Sequence, residues 1–145
     1  MKKVLPVLLV LCLLCLPAAG CSGDSEKNGR SADVDLTLLS TTMAQAEFQN
    51  ISARSSDFMG KTIRVNGTYN SMFFDQTGNF YHYVIVVEGD DCCRQGFEFK
   101  LTDEDFALDD FPAQGTKIEI TGVLSMYEEL GMKYVYLAAD EIIII

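Results

Sequence analysis

The chain has 145 residues, with 11 Lys+Arg against 21 Asp+Glu for a net charge of −10, and 48% of it is apolar. That is enough for one domain with a single core, and it excludes a disordered chain. The acidic balance argues against a nucleic-acid partner, because affinity for DNA or RNA rests on cationic side chains that displace counterions from phosphates.

Lys2 and Lys3 precede a nearly unbroken apolar run from Val4 to Leu16, followed by Pro17-Ala18-Ala19-Gly20 and Cys21. This layout predicts an export signal over residues 1–20. The run falls short of the about 20 apolar residues that a bilayer crossing needs. Ala18-Ala19-Gly20-Cys21 resembles the lipobox of bacterial lipoproteins, in which the cysteine sulfur is acylated and the cysteine becomes the new N-terminus. The commonest lipobox has Leu where Ala18 stands here, and Leu16 lies two residues further back. The alternative is an ordinary secretory signal cut near Ala19. Lipidation of Cys21 makes the membrane a partner and predicts a cell-membrane address on the extracytoplasmic face, since two or more acyl chains anchor stably. Cys12 and Cys15 then leave with the signal, so Cys92 and Cys93 are the free pair among the five cysteines. Loss of Lys2 and Lys3 moves the charge from −10 to −12.

Residues 21–34 read as the lipidated N-terminus and a flexible polar tether, and residues 35–145 as the folded domain. Leu36, Leu39, Met43, Ala46 and Ile51 recur at helical intervals, which predicts one amphipathic helix capped by Asp35 or Thr37. Beyond Gly60 the period switches to two. Ile63, Val65, Gly67 and Tyr69 alternate with polar residues, a turn follows at Asp75–Asn79, and Phe80–Val87 and Gly96–Leu101 read as further strands. Thr102–Gly115 is acidic, with one or two helical turns capped by Thr102 or Asp103. Thr116–Tyr127 and Lys133–Ala139 form a final hairpin around Glu128–Gly131.

The stretches Gly60–Gly67 (GKTIRVNG) and Gly115–Gly122 (GTKIEITG) share Gly and Ile/Val positions, and each leads into a Ser-Met-aromatic triplet. A glycine in mid-strand marks a bend or bulge, as where a long strand turns a corner and serves two partners. Five strands with bent first and fourth members predict a mainly β fold, a five-stranded OB-fold-like barrel preceded by one helix. A small sandwich is the alternative.

Together, Gly60–Gly67, the segment Asp91–Phe99 (DCCRQGFEF), Gly115–Gly122, the Asp33–Thr37 opening and Thr42-Met43 resemble a group of uncharacterised OB-fold-like lipoproteins of Gram-positive bacteria that share a Cys-Cys-x-Gln-Gly motif. The Cys pair after a hydrophobic strand is also distantly similar to the extracytoplasmic domain of a permease-associated membrane protein family linked to zinc homeostasis. The first likeness implies fold and address; the second implies a membrane transporter or other surface protein as partner.

Cys92 and Cys93 admit three readings. As thiolates they would ligate zinc with His82, the single histidine, and a carboxylate such as Asp90, Asp91 or Glu98. As a vicinal disulfide they would form a redox or conformational switch, which an exported address permits. As inert cysteines they would leave the domain as a protein-interaction module, acting through an aromatic face or the edge of the last strand with Ile142–Ile145. Phe73, Phe74, Phe80, Tyr81 and Tyr83 form a stacking platform in that third reading, for a peptide or saccharide. The acidic residues 103–110 lack the spacing of a calcium loop. With one histidine and no nucleophile elbow, the expectation is a binding or accessory module and not an enzyme.

Overall fold

The computed structural model describes residues 31–87, 94–102 and 107–145. Cys21, Cys92 and Cys93 therefore lie outside the described residues, as do Asp90, Asp91, Asp103 and residues 1–20. The alternating segments form six strands: β1 (Val34–Asp35), β2 (Thr62–Phe74), β3 (Asn79–Val87), β4 (Gln95–Leu101), β5 (Lys117–Glu129) and β6 (Met132–Ile144). Their order is β1-β2-β3-β4-β6-β5, and β5 pairs back onto β2. Five strands thus close a ring of hydrogen bonds in which only β4–β6 is parallel. The fold is mainly β, with one main helix.

The corner predicted at Gly67 is present. β2 pairs with β5 over Thr62–Thr68 and with β3 over Thr68–Phe74, so the strand changes partners beside this glycine. A Cβ there would stand 2.2 Å from the Ile85 carbonyl oxygen; one on Gly96, across β3, would stand 2.1 Å from that of Val84. The two glycines let neighbouring strands close onto one stretch of β3. β1 pairs in parallel with Ile63 and Arg64, on the part of β2 that β3 does not reach. The boundary expected between residues 34 and 35 falls within this short strand.

Inward-facing residues of all five ring strands form the core, including Ile63, Val65, Val84, Phe99, Ile120 and Leu137, each essentially excluded from solvent. Two short helices, α1 (Thr41–Ala53) and α2 (Ser55–Phe58), add Phe48, Ile51 and Phe58. Phe48 meets Phe97 edge-on at 4.8 Å, which seats α1 over the β3 end nearest Val87. No helix among the described residues is long and apolar enough to cross a membrane.

The helix differs from its predicted phase. Leu36–Leu38 is a separate 3-10 turn, capped by Asp35 Oδ1, which accepts from Thr37 N at 3.0 Å. Leu39 and Ser40 are extended, and Ser40 caps α1. That break shifts the face: Met43 and Ala46 are exposed, whereas Ala44, Phe48 and Ile51 pack inward. The acidic segment likewise yields, among the described residues, a single 3-10 turn at Leu108–Asp110. Thr102 does not cap it but donates its hydroxyl to Asp140 at 2.8 Å.

The last hairpin turns on Leu130 and Gly131 alone, both at positive φ (52° and 77°). This is the geometry of a two-residue type I′ turn, in which a leucine is strained by about 1 kcal/mol. Leu130→Asn is expected to stabilise the fold by about that amount, read as a higher urea midpoint with unchanged slope.

Candidate functional site

Side chains that alternate with the core point to the outer face of the ring, and there the sequence places tyrosines and carboxylates. Tyr81 and Tyr83 stand on β3, Glu98 and Lys100 on β4, Tyr127 and Glu129 on β5, Tyr134 and Tyr136 on β6. The register sets Glu98 between Tyr83 and Tyr136, and Tyr127 opposite Tyr134. Tyr127 stacks on Tyr134 at 5.4 Å between ring centres and meets Tyr136 near-perpendicular at 5.6 Å.

Hydrogen bonds fix these rings from both ends. Tyr127 donates to Glu98 Oε2 at 2.9 Å, and Tyr81 donates to Glu129 Oε2 at 2.6 Å. Lys100 holds its ammonium 3.3 Å from the centre of Tyr127, 5.2 Å from that of Tyr136 and 3.5 Å from Glu98 Oε1. Glu98 is only 7% exposed, and its Oε1 accepts no hydrogen bond among the described residues.

Burial pushes the Glu98 carboxyl above the usual carboxylate range, against the opposing pull of the Tyr127 hydroxyl and Lys100. Desolvation, reinforced by Glu98, pushes the Tyr83 phenol up to about 12. Tyr127 is raised as well, by burial first and then by its bond to Glu98. The Tyr83 and Tyr127 phenols are thus protonated at neutral pH.

The groove between these side chains encloses about 210 Å³, with Met72 and Phe74 completing its wall. It adjoins a cavity of about 450 Å³ that shares Tyr81, Glu98 and Glu129 and reaches His82, Phe99 and Phe111. On the other flank a cavity of about 510 Å³ shares Met72 and Tyr83 and reaches Phe48 and Arg94. The tyrosine-lined groove thus forms a trough on β3 that shares Tyr81 with one neighbouring cavity and Tyr83 with the other.

His82, expected as a metal ligand, sits in mid-strand opposite Phe99. Its Nδ1 lies 2.7 Å from the Tyr69 hydroxyl, and its ring stacks on Phe111 at 3.7 Å and 6°. Burial lowers its pKa, so the imidazole is neutral. It is five residues from the end of β3, about 16 Å along a strand, and its expected co-ligands Cys92 and Cys93 lie outside the described residues. Among the described residues no three His, Cys, Asp or Glu side chains converge on a common point.

The expected aromatic platform splits in two. Phe74, Tyr81 and Tyr83 line the tyrosine groove, whereas Phe73 and Phe80 pair at 5.0 Å on the other face of the hairpin, each about half exposed, with Phe80 bordering the adjoining cavity. The last strand lies between β4 and β5 over Tyr136–Ala139 and pairs with β5 alone, among the described residues, over Ile142–Ile144. Ile142 packs toward the core, while Ile144 and Ile145 are exposed. The sequence reading missed Tyr127, Glu129, Tyr134 and Tyr136 as site residues, and gave Glu98 only as a spare metal ligand. The signal was the period-two pairs Glu98-x-Lys100, Tyr127-x-Glu129 and Tyr134-x-Tyr136. No protein-family model matches the chain, and no curated protein matches it either.

Proposed function

We propose that this protein is a non-catalytic binding module, lipid-anchored through Cys21 at the extracytoplasmic membrane surface, whose ligand lies in the tyrosine-lined trough. Glu98 carries the reading. It is a carboxylate almost wholly withdrawn from water in a tyrosine-walled groove, and one of its oxygens has only an ion pair with the half-exposed Lys100 at 3.5 Å and no well-formed hydrogen bond among the described residues. Such a group opposes folding, and folds keep groups of that kind where a ligand uses them.

The ring order supports a finer description as an OB-fold. Its first three strands are β2, β3 and β4, the third runs parallel to the last, and the fourth closes on the first. OB-folds take ligands on the face of their second and third strands, between the first and last hairpin loops. Tyr81, Tyr83 and Glu98 stand on that face here. Protonated phenols favour stacking and hydrogen-bond donation over proton transfer, which suits binding without chemistry. The partner is a small ligand, or a membrane transporter or other surface protein that presents one.

Two measurements test this reading. Intact-mass spectrometry of the protein extracted from membranes is expected to show acyl chains on Cys21 that are absent from a Cys21→Ser variant; an unmodified Cys21 overturns the anchor. The same spectra report on the free pair: a zinc adduct lost in Cys92→Ser/Cys93→Ser assigns zinc to them, and a mass two hydrogens short assigns a vicinal disulfide. A ligand-observed NMR fragment screen on the same material is expected to give hits that vanish in Tyr81→Ala/Tyr127→Ala. No hits, or hits untouched by those changes, overturn the trough as the binding site.

A further inference from the structure

We infer that the groove takes a protonated aliphatic amine, with its ammonium at Glu98 and Glu129 and its methylenes against Tyr81, Tyr83, Tyr127 and Tyr134. This deepens the binding reading and rests on it. Aromatic ring faces carry negative potential, and here four of them surround two carboxylates in a cavity of about 210 Å³. No Lys or Arg is among the residues that line it. The net charge of the chain adds to the same sign and draws cations toward its surface.

Two observations point to this chemistry. Glu98 Oε1 is buried, and the cation beside it, the Lys100 ammonium at 3.5 Å, forms an ion pair without a well-formed hydrogen bond, so an N–H group in its place would satisfy the acceptor better. Lys100 also provides an internal example, since its ammonium already rests over Tyr127 and beside Glu98. That side chain is 43% exposed and borders the adjoining cavity rather than this one. An incoming amine therefore competes with Lys100 for the same carboxylate. A saccharide stacked on the same rings would be recognised through hydroxyl groups, without any demand for charge.

The amine has two sources, a free diamine or the lysine side chain of a partner, and the test separates them. The protein, purified from membranes in a polyoxyethylene detergent, is titrated with 1,5-diaminopentane, with Nα-acetyl-lysinamide and with the neutral isostere 1,5-pentanediol. Tyrosine fluorescence reports binding, because four of the six tyrosines line the groove and the chain has no Trp. At least one amine is expected to bind about tenfold or more tightly than the diol, and Glu98→Gln is expected to remove that preference. Tighter binding of the diamine assigns a free amine; tighter binding of the lysinamide assigns a side chain. Lys100→Met, at a partly exposed position, is expected to strengthen amine binding by removing the internal competitor.

A diol that binds as well as the amines overturns the inference, as does amine affinity unchanged or weakened in Lys100→Met. If amines fail while fragments still occupy the trough, the ligand class is wrong and the binding reading stands. If fragments fail as well, both fall.

Discussion

Gly67→Ala is expected to destabilise the fold by about 3 kcal/mol or more, a large share of the about 5–15 kcal/mol that holds a typical domain folded. The methyl group would enter the 2.2 Å gap to the Ile85 carbonyl oxygen, with the carbonyl carbon at 2.9 Å. Those atoms belong to a strand held by β2 on one side and β4 on the other, so they cannot yield as a flexible side chain would. Gly96→Ala meets the same strand at 2.1 Å from Val84 O and is expected to behave alike. Gly60 is the control. A Cβ there would have nothing within 4 Å, and only its φ of 78° resists alanine, so Gly60→Ala should lose about 1 kcal/mol. Urea unfolding of the three variants checks the ranking; a Gly67→Ala protein as stable as Gly60→Ala would sink the close-packing explanation.

Glu98→Gln is expected to make the protein more stable at neutral pH while abolishing its preference for amines. Burial raises the Glu98 pKa in the folded state. Between the ordinary carboxylate range and that raised value, the folded chain binds more protons than the unfolded one, so stability falls as pH rises through the window and stays reduced above it. Glutamine keeps an acceptor for the Tyr127 hydroxyl and carries no charge to desolvate. The gain over wild type should therefore grow as pH rises above the ordinary carboxylate range and should vanish below the usual carboxylate pKa of about 4. Urea midpoints of the two proteins at both pH values supply the check, and a wild type more stable at neutral pH would contradict it. The opposing effects on stability and binding separate a ligand-directed carboxylate from one that serves the fold.

The sequence carried the strands because their burial alternates. Ile63, Val65 and Tyr69 are buried at period two, and the glycine between Val65 and Tyr69 marked the place where β2 changes partners. It carried the helix but not its phase. The apolar spacing runs unbroken from Leu36 to Ile51, whereas the chain interrupts the helix at Leu39-Ser40, where a local hydroxyl cap outweighs the periodicity. The site was legible only in fragments. Tyr83, Glu98 and Tyr136 are distant in sequence and become neighbours through the β3–β4 and β4–β6 registers, and the latter is a parallel pairing that no local turn specifies. His82 drew notice as the single histidine, yet rarity does not say that a ring is held by Tyr69 and Phe111.

The return of β5 onto β2 also sets the order in which the chain can fold. Thr62 pairs with Val123 and Glu98 with Tyr136, so the ring has no complete turn until the last hairpin has been made. Loop-closure entropy must be met before these distant pairings reward it, which makes folding slow and concentrates it at the end of synthesis. Until that hairpin is made, the edges of β2 and β4 that β5 and β6 later cover stay open to any other strand.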